Sequence, residues 1–126
     1  MAEIQIDDKC VIVSETDEKG IITFANDDFI RYSGYTREEL MGKPHNILRH
    51  SDMPKAAFAD LWATIKAGKT WNGFVKNKTK NGDFYWVYAT ASKVVAPDGS
   101  IRYISLRNKP TKQEAQKYDT LYKTMK

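Results

Sequence analysis

A chain of 126 residues, 41% hydrophobic and 29% charged, is the size of one globular domain and can bury a core without staples. Its one cysteine, Cys10, excludes an intramolecular disulfide and any CxxC zinc or redox motif. No apolar run is long enough to span a membrane, and the acidic opening MAEIQIDDK is no secretory signal. The formal charge of +4 is a property of the tail: residues 1–106 hold 14 Lys/Arg against 14 Asp/Glu, whereas Arg107, Lys109, Lys112, Lys117, Lys123 and Lys126 are opposed only by Glu114 and Asp119. A nucleic-acid binder shows a basic face across its folded body, so nucleic acid is not an expected partner. The local cluster Lys76, Lys78, Lys80 reads as a solvated hairpin end. A soluble, intracellular domain is the expectation.

Val11–Ser14 and Ile21–Ala25 are short β-favouring runs separated by Asp17-Glu18-Lys19-Gly20, a tight-turn signal. Asn26 is a natural N-cap for Asp27–Ser33. Thr36-Arg-Glu-Glu39 fits a capping box for a brief helix stopped by Gly42 and Pro44. A single turn is expected at His45–His50, then a long helix from Lys55 to Ala67, where Phe58, Leu61, Trp62 and Ile65 form one apolar stripe and Gly68 ends the run. From Trp71 the period changes. Trp71–Asn77 and Phe84–Val95 read as strands joined by an Asn-Gly hairpin, and Ala96-Pro-Asp-Gly99 turns into a strand at Ile101–Arg107. Strands that run together rather than alternating with helices give α+β: a five-stranded antiparallel sheet with the short helices and the long helix on one face.

Phe84–Tyr88 is apolar or aromatic at nearly every position, so both faces of the sheet should be covered there. The tail supplies a candidate cover. Thr111-Lys-Gln-Glu114 is a second capping box, and Tyr118, Leu121, Tyr122 and Met125 fall at helical spacing. This stripe needs a surface, either its own sheet or a second chain. The organisation expected is a folded body over residues 10–108 and a C-terminal helix over 109–126.

The order of elements, and the words Asn26…Gly34-Tyr35-Thr36…Glu39-Leu40-x-Gly42, Trp71-x-Gly73 and Lys80-Asn81-Gly82-Asp83, resemble a PAS domain. Pro44-His45-Asn46, Arg49-His50-x-Asp52-Met53-Pro54 and Lys55-Ala56-Ala57-Phe58 resemble more closely the flavin-binding PAS domains of bacterial aerotaxis receptors (the Aer type), and more distantly that of the nitrogen-fixation regulator NifL. The resemblance implies a noncovalently bound FAD whose redox state is reported to a chemotaxis-type signalling protein or receptor domain of the HAMP class. No enzymatic activity is expected. Cytoplasmic placement is implied, as is a possible homodimer through the Tyr118, Leu121, Tyr122, Met125 face.

A flavin needs a flat apolar slot for its ring, a paired donor and acceptor for its pyrimidine edge, and cations or N–H groups for its phosphates. Trp62 suits both the slot and ordinary core packing. Trp71 could cover the adenine or the ring. Asn77, unusual in a strand, offers donor and acceptor together. By resemblance, Arg49, His50 and Asp52 help to hold the FAD: Arg49 on the diphosphate, Asp52 on Arg49 or a ribose hydroxyl, His50 by stacking or donating. His45 could bond the polar edge and respond to reduction, since imidazole titrates near neutral pH. Asn26 could donate to the pocket or merely cap its helix, and of Tyr85 and Trp86, which point to opposite faces, only Tyr85 is retained as a candidate. The alternatives are a ligand-free dimerisation module and, less favoured, a haem sensor ligated by His45 or His50. A blue-light receptor of the LOV class would need a cysteine in the loop before the long helix, and His45–Asp52 contains none.

Overall fold

The computed structural model describes residues 2–125; Met1 and Lys126, the latter counted above with the basic tail, lie outside the described residues. Five strands form one antiparallel sheet: β1 (Ile12–Asp17), β2 (Ile22–Ala25), β3 (Trp71–Lys78), β4 (Phe84–Val95) and β5 (Ile101–Asn108), in the spatial order β2-β1-β5-β4-β3. Between β2 and β3 the chain makes α1 (Asp27–Ser33), α2 (Arg37–Leu40), a 3-10 turn at His45–Leu48 and α3 (Lys55–Lys66). After β5 comes α4 (Lys112–Lys123). The α+β architecture is the expected one. No helix among the described residues is long and apolar enough to cross a membrane.

Local chemistry sets these boundaries. Asn26 Oδ1 accepts from the Phe29 N–H at the start of α1, and Gly34 closes that helix in the left-handed region. Both expected capping boxes form, at Thr36/Glu39 and Thr111/Glu114. Gly73 has a separate reason: a Cβ there would lie 2.3 Å from the Trp71 ring. The benzo edge of the indole therefore occupies the space over Gly73, and its Nε1–H reaches Asp60 on α3 at 2.9 Å.

The two faces of the sheet carry different cargo because strand side chains alternate. One face, here called inner, meets α1 and α3. The other meets α4, where Tyr118 stacks on Phe74 with centroids 4.4 Å apart, Trp86 stacks on Tyr122, and the Tyr122 hydroxyl donates to the Phe74 carbonyl at 2.7 Å. Tyr118 and Tyr122 are thus spent on the chain's own sheet. The four-residue face, which had either its own sheet or a second chain to meet, is divided, and of the four Leu121 and Met125 stay exposed. α4 covers only the β3–β4 half; towards β1 and β2, Phe24 and Leu106 are exposed on the same face.

Both sheet edges are guarded by loops, which prevents open strand pairing. Beside β2, the Ile22 N–H donates to Lys43 O and the Gly42 N–H to Ile22 O. Beside β3, Arg49 makes an isolated bridge to Asn77, and the Lys76 N–H points at Met53 Sδ, 3.3 Å away. Lys76 corrects the solvated-hairpin reading of the lysine cluster. It is 7% exposed, because its ammonium is paired with Asp52 at 2.8 Å and with Asp119 of α4 at 3.5 Å. An N-terminal segment, not expected above, also joins the sheet: Ile4 N–H donates to Phe84 O, and Phe84 N–H to Ala2 O. Cys10 is buried, and burial pushes its thiol up to about 11.

Candidate functional site

Why a hole exists follows from side-chain size. Ser14 on β1, Ser105 on β5 and Ala91 on β4 stand opposite one another in one cross-strand row of the inner face, and Ala89 lies in the next. These small groups face the Phe58, Leu61, Trp62, Ile65 stripe of α3 and cannot fill the gap. The result is a cavity of about 280 Å³, just below the roughly 300–1,000 Å³ of ligand sites. The α3 stripe, Val75, Ala89 and Ala91 make its walls apolar; His45, Asn46, Arg49, Asn77, Arg107, Ser14 and Ser105 make one side polar, and Lys19 and Gly20 sit on the β1–β2 turn that contributes to its lining. Trp62 meets Tyr103 edge-to-face at 5.3 Å, and its ring lies 3.3 Å from where a Cβ on Gly20 would be.

The polar side is short of partners. Asn77 Nδ2, Arg49 Nε and Arg107 Nε are buried without a hydrogen-bond partner. Arg107, 3% exposed, takes part in no ion pair among the described residues. Its guanidinium lies 4.6 Å from the centroid of the Phe29 ring, and Nη2 donates to Ser14 Oγ at 2.6 Å. Burial lowers its pKa to about 10, so it is a cation at neutral pH. Ser14 Oγ and Arg107 Nη1 lie 3.0 and 3.3 Å from His45 Nε2. With Ser14 Oγ already accepting from Arg107, its hydroxyl proton is free to donate, and both donors fix Nε2 as the acceptor of a neutral imidazole. Orphaned buried donors cost roughly 1–3 kcal/mol each, a cost that a group rich in acceptors would relieve.

Of the expected site residues, His45, Arg49, Trp62 and Asn77 line the cavity. The other five do not. Asn26 is fully used as a cap and strand tie: Oδ1 accepts from Val13 N–H and Phe29 N–H, and Nδ2 donates to Val11 O. Trp71 is held at Asp60, away from the cavity wall. Tyr85 is fully buried on the inner face beside Tyr32, with its hydroxyl orphaned and its pKa raised by burial. His50 Nδ1 accepts from the Asp52 N–H, and its ring meets Phe84 edge-on. Asp52 pairs with Lys76 rather than Arg49, whose guanidinium instead lies 3.8 Å over the Phe58 ring. His45 needs a further correction. Burial, and then the Arg107 charge, push its pKa down to about 3, so it does not titrate near neutral pH. No metal-binding cluster of His, Cys, Asp or Glu occurs among the described residues, and Cys10 does not line the cavity.

Sequence reasoning missed Arg107 and the small-residue floor. The signal was present: Tyr103, Ser105 and Arg107 share the inner face by alternation, and a cation at an inward strand position demands a reason.

A family profile described as the PAS fold matches residues 22–107. The chain is 49% identical over 118 residues to an aerotaxis receptor of Escherichia coli (strain K12), covering 94% of this chain and 23% of that protein. It is 28% identical over 98 residues to a nitrogen fixation regulatory protein of Klebsiella pneumoniae, covering 78% and 20%. The chain thus spans about a fifth to a quarter of the length of these relatives. Among solved structures, a light-oxygen-voltage domain studied with a flavin analogue superimposes with a TM-score of 0.73 at 17% identity, over 88% of this chain and 84% of that one; at that identity it shows the fold alone.

Proposed function

The chain belongs to the PAS-fold family, and from that premise we propose that it is a redox-sensing domain that binds a flavin noncovalently in the cavity between α3 and the sheet. The observation that carries this reading is the cavity itself: apolar walls, and one polar side with the orphaned donors of Asn77, Arg49 and Arg107. That donor set fits a flavin, whose ring edge is rich in carbonyl and nitrogen acceptors, and likeness to an aerotaxis receptor supports it. A bound flavin supplies reversible uptake of electrons and protons. The chain supplies the rest. Phe58, Leu61, Trp62 and Ile65 hold the ring face and exclude water. Asn77 offers donor and acceptor to the ring edge. Arg107 favours an electron-rich ring, because a buried cation acts with little screening. Turning its guanidinium toward the ligand would stretch its bonds to Ser14 and His45, so these two residues set the resting position.

FAD, the cofactor implied by the resemblance to aerotaxis receptors, is part of the proposal. The ring system would sit in the cavity of about 280 Å³, and the phosphates would leave past Lys19 or Arg49. Residues 10–108 act as the sensor and 109–126 as its output helix, facing a chemotaxis-type signalling partner in the cytoplasm. No residue is assigned a catalytic role.

The test is the absorption spectrum of the purified protein, with heat release and mass measurement of any chromophore. A yellow protein that releases FAD, bleaches with dithionite and recovers in air supports the reading. FMN on release corrects the cofactor. A colourless protein that takes up neither sinks the reading and favours an interaction module, for which exposed Phe24 and Leu106 are the surface to probe. Asn77→Ala and Arg49→Ala variants that fold yet keep full flavin occupancy would remove those residues from the site.

A further inference from the structure

One short segment passes from the cavity to the far side of the sheet. Arg49 lines the cavity and bridges Asn77, a second cavity residue, through the backbone. Three residues on, Asp52 has rounded the β3 edge. Its carboxylate holds Lys76 Nζ at 2.8 Å, and the Asp52 N–H is fixed by His50 Nδ1 at 3.0 Å. Lys76 belongs to the outer face, next to Phe74 on one side and opposite Trp86. Its ammonium lies 4.4 Å from the Phe84 ring centroid and reaches Asp119 of α4 at 3.5 Å. Asp119 is held in turn by Lys123 at 3.4 Å.

We propose that Asp52, Lys76 and Asp119 form a latch that couples the cavity to the docking of α4. A lysine side chain 9% exposed has lost most of its hydration, and the two carboxylates stand in for the water it gave up. The two carboxylates lie on separate elements, one tied to the cavity wall and one to the output helix. Displacing the 49–53 segment weakens one half of the grip and shifts the ammonium toward or away from the other. α4 has few other polar ties to the sheet, the Tyr122 hydroxyl being the chief one, so its docking equilibrium is sensitive to that shift. Coupling of this kind is reciprocal: whatever cavity occupancy does to α4, release of α4 must do to the cavity. The latch deepens the sensor reading by naming its output route. It also explains why Asp52 and His50 sit in a cavity-forming segment without touching the cavity.

The test is amide hydrogen exchange on the ligand-free chain carrying Asp52→Asn or Asp119→Asn, isosteric changes at partly exposed positions, with Glu15→Gln as a control that breaks the unrelated pair to Arg102. The latch predicts cross-talk. Asp52→Asn, in the loop, accelerates exchange along residues 115–123 of α4, and Asp119→Asn, on the helix, accelerates exchange at Asp52 and Met53, each by about fivefold or more; the control does neither. Effects confined to the substituted element overturn the latch. A titration with FAD separates this from the cofactor reading: if wild type binds no FAD, that reading fails by itself, and the exchange data on the ligand-free chain still decide the latch. If FAD binds, it should change α4 exchange in wild type and change it less in Asp119→Asn; an equal change in both proteins also overturns the latch.

Discussion

Arg107 holds a positive charge behind Phe29, Ser14 and His45, with no carboxylate paired to it among the described residues. A flavin beside it gains most when reduced, so Arg107→Met should lower the two-electron midpoint potential of the loaded protein by roughly 30–60 mV, equivalent to about 1.4–3 kcal/mol. Spectroelectrochemical titration measures this, and an unchanged potential would place the ring away from Arg107. His45 makes a prediction about acid. Its folded pKa is about 3 against an ordinary 6.5, so between those values the unfolded chain binds the extra proton and acid favours unfolding. Its contribution to stability is complete above pH ~6.5 and falls by up to ~1.4 kcal/mol per pH unit on the way to 3. His50 is lowered as well, by burial and then by Lys76, so the wild-type slope contains both. Urea unfolding of wild type and His45→Gln at pH 7 and 5 isolates the His45 share, and equal slopes would mean the ring is not held neutral. At this scale the sequence was partly readable. Asn77 stood out because a strand disfavours it, and Arg49 through the resemblance. Asp52 and His50 were misplaced because a one-dimensional string does not show that their segment rounds a sheet edge.

The hairpin of β3 and β4 depends on one missing side chain. Gly73→Ala would put a Cβ at 2.3 Å from the Trp71 ring, forcing the indole off its strand and off Asp60. Overpacking of this kind costs about 1–3 kcal/mol; denaturant unfolding should show that loss together with a shift in tryptophan fluorescence, and an unaltered midpoint would mean that the indole moves freely. On the opposite face, Tyr122→Phe removes the hydrogen bond to the Phe74 carbonyl. It should cost about 1 kcal/mol and leave the ring stacking intact. Exchange should rise in α4 and hardly at all in β5, and a uniform rise across the sheet would show that α4 docking and global folding are one event. Elements were well predicted where local chemistry dominates: both capping boxes formed, the α3 stripe faced the cavity, and the aromatic run at Phe84–Tyr88 did signal a sheet covered on both sides. The N-terminal contacts to Phe84 were missed although Ile4 and Ile6 alternate with Glu3, Gln5 and Asp7; a period-2 stretch this short does not say which strand it joins.

Viewed whole, the molecule is a sheet with a ligand-sized gap on one side and a helix over half of the other. The other half is left bare, with Phe24 and Leu106 exposed, and the chain spans about a fifth to a quarter of its relatives' length. The fold class was fully legible from element order, whereas the choice of α4 for its own sheet required three dimensions: the stripe from Tyr118 to Met125 is equally suited to either surface until Phe74 and Trp86 are seen beneath it. The unsatisfied donors of the cavity have one more consequence, which concerns the protein's lifetime. A ligand that satisfies them adds stability by mass action, about 2.7 kcal/mol at a hundred times its dissociation constant, and turnover by proteases follows the population that opens. In cells starved of riboflavin the chain should therefore be scarce, and a pulse-chase half-life that lengthens on feeding would show vitamin supply acting as a control on abundance.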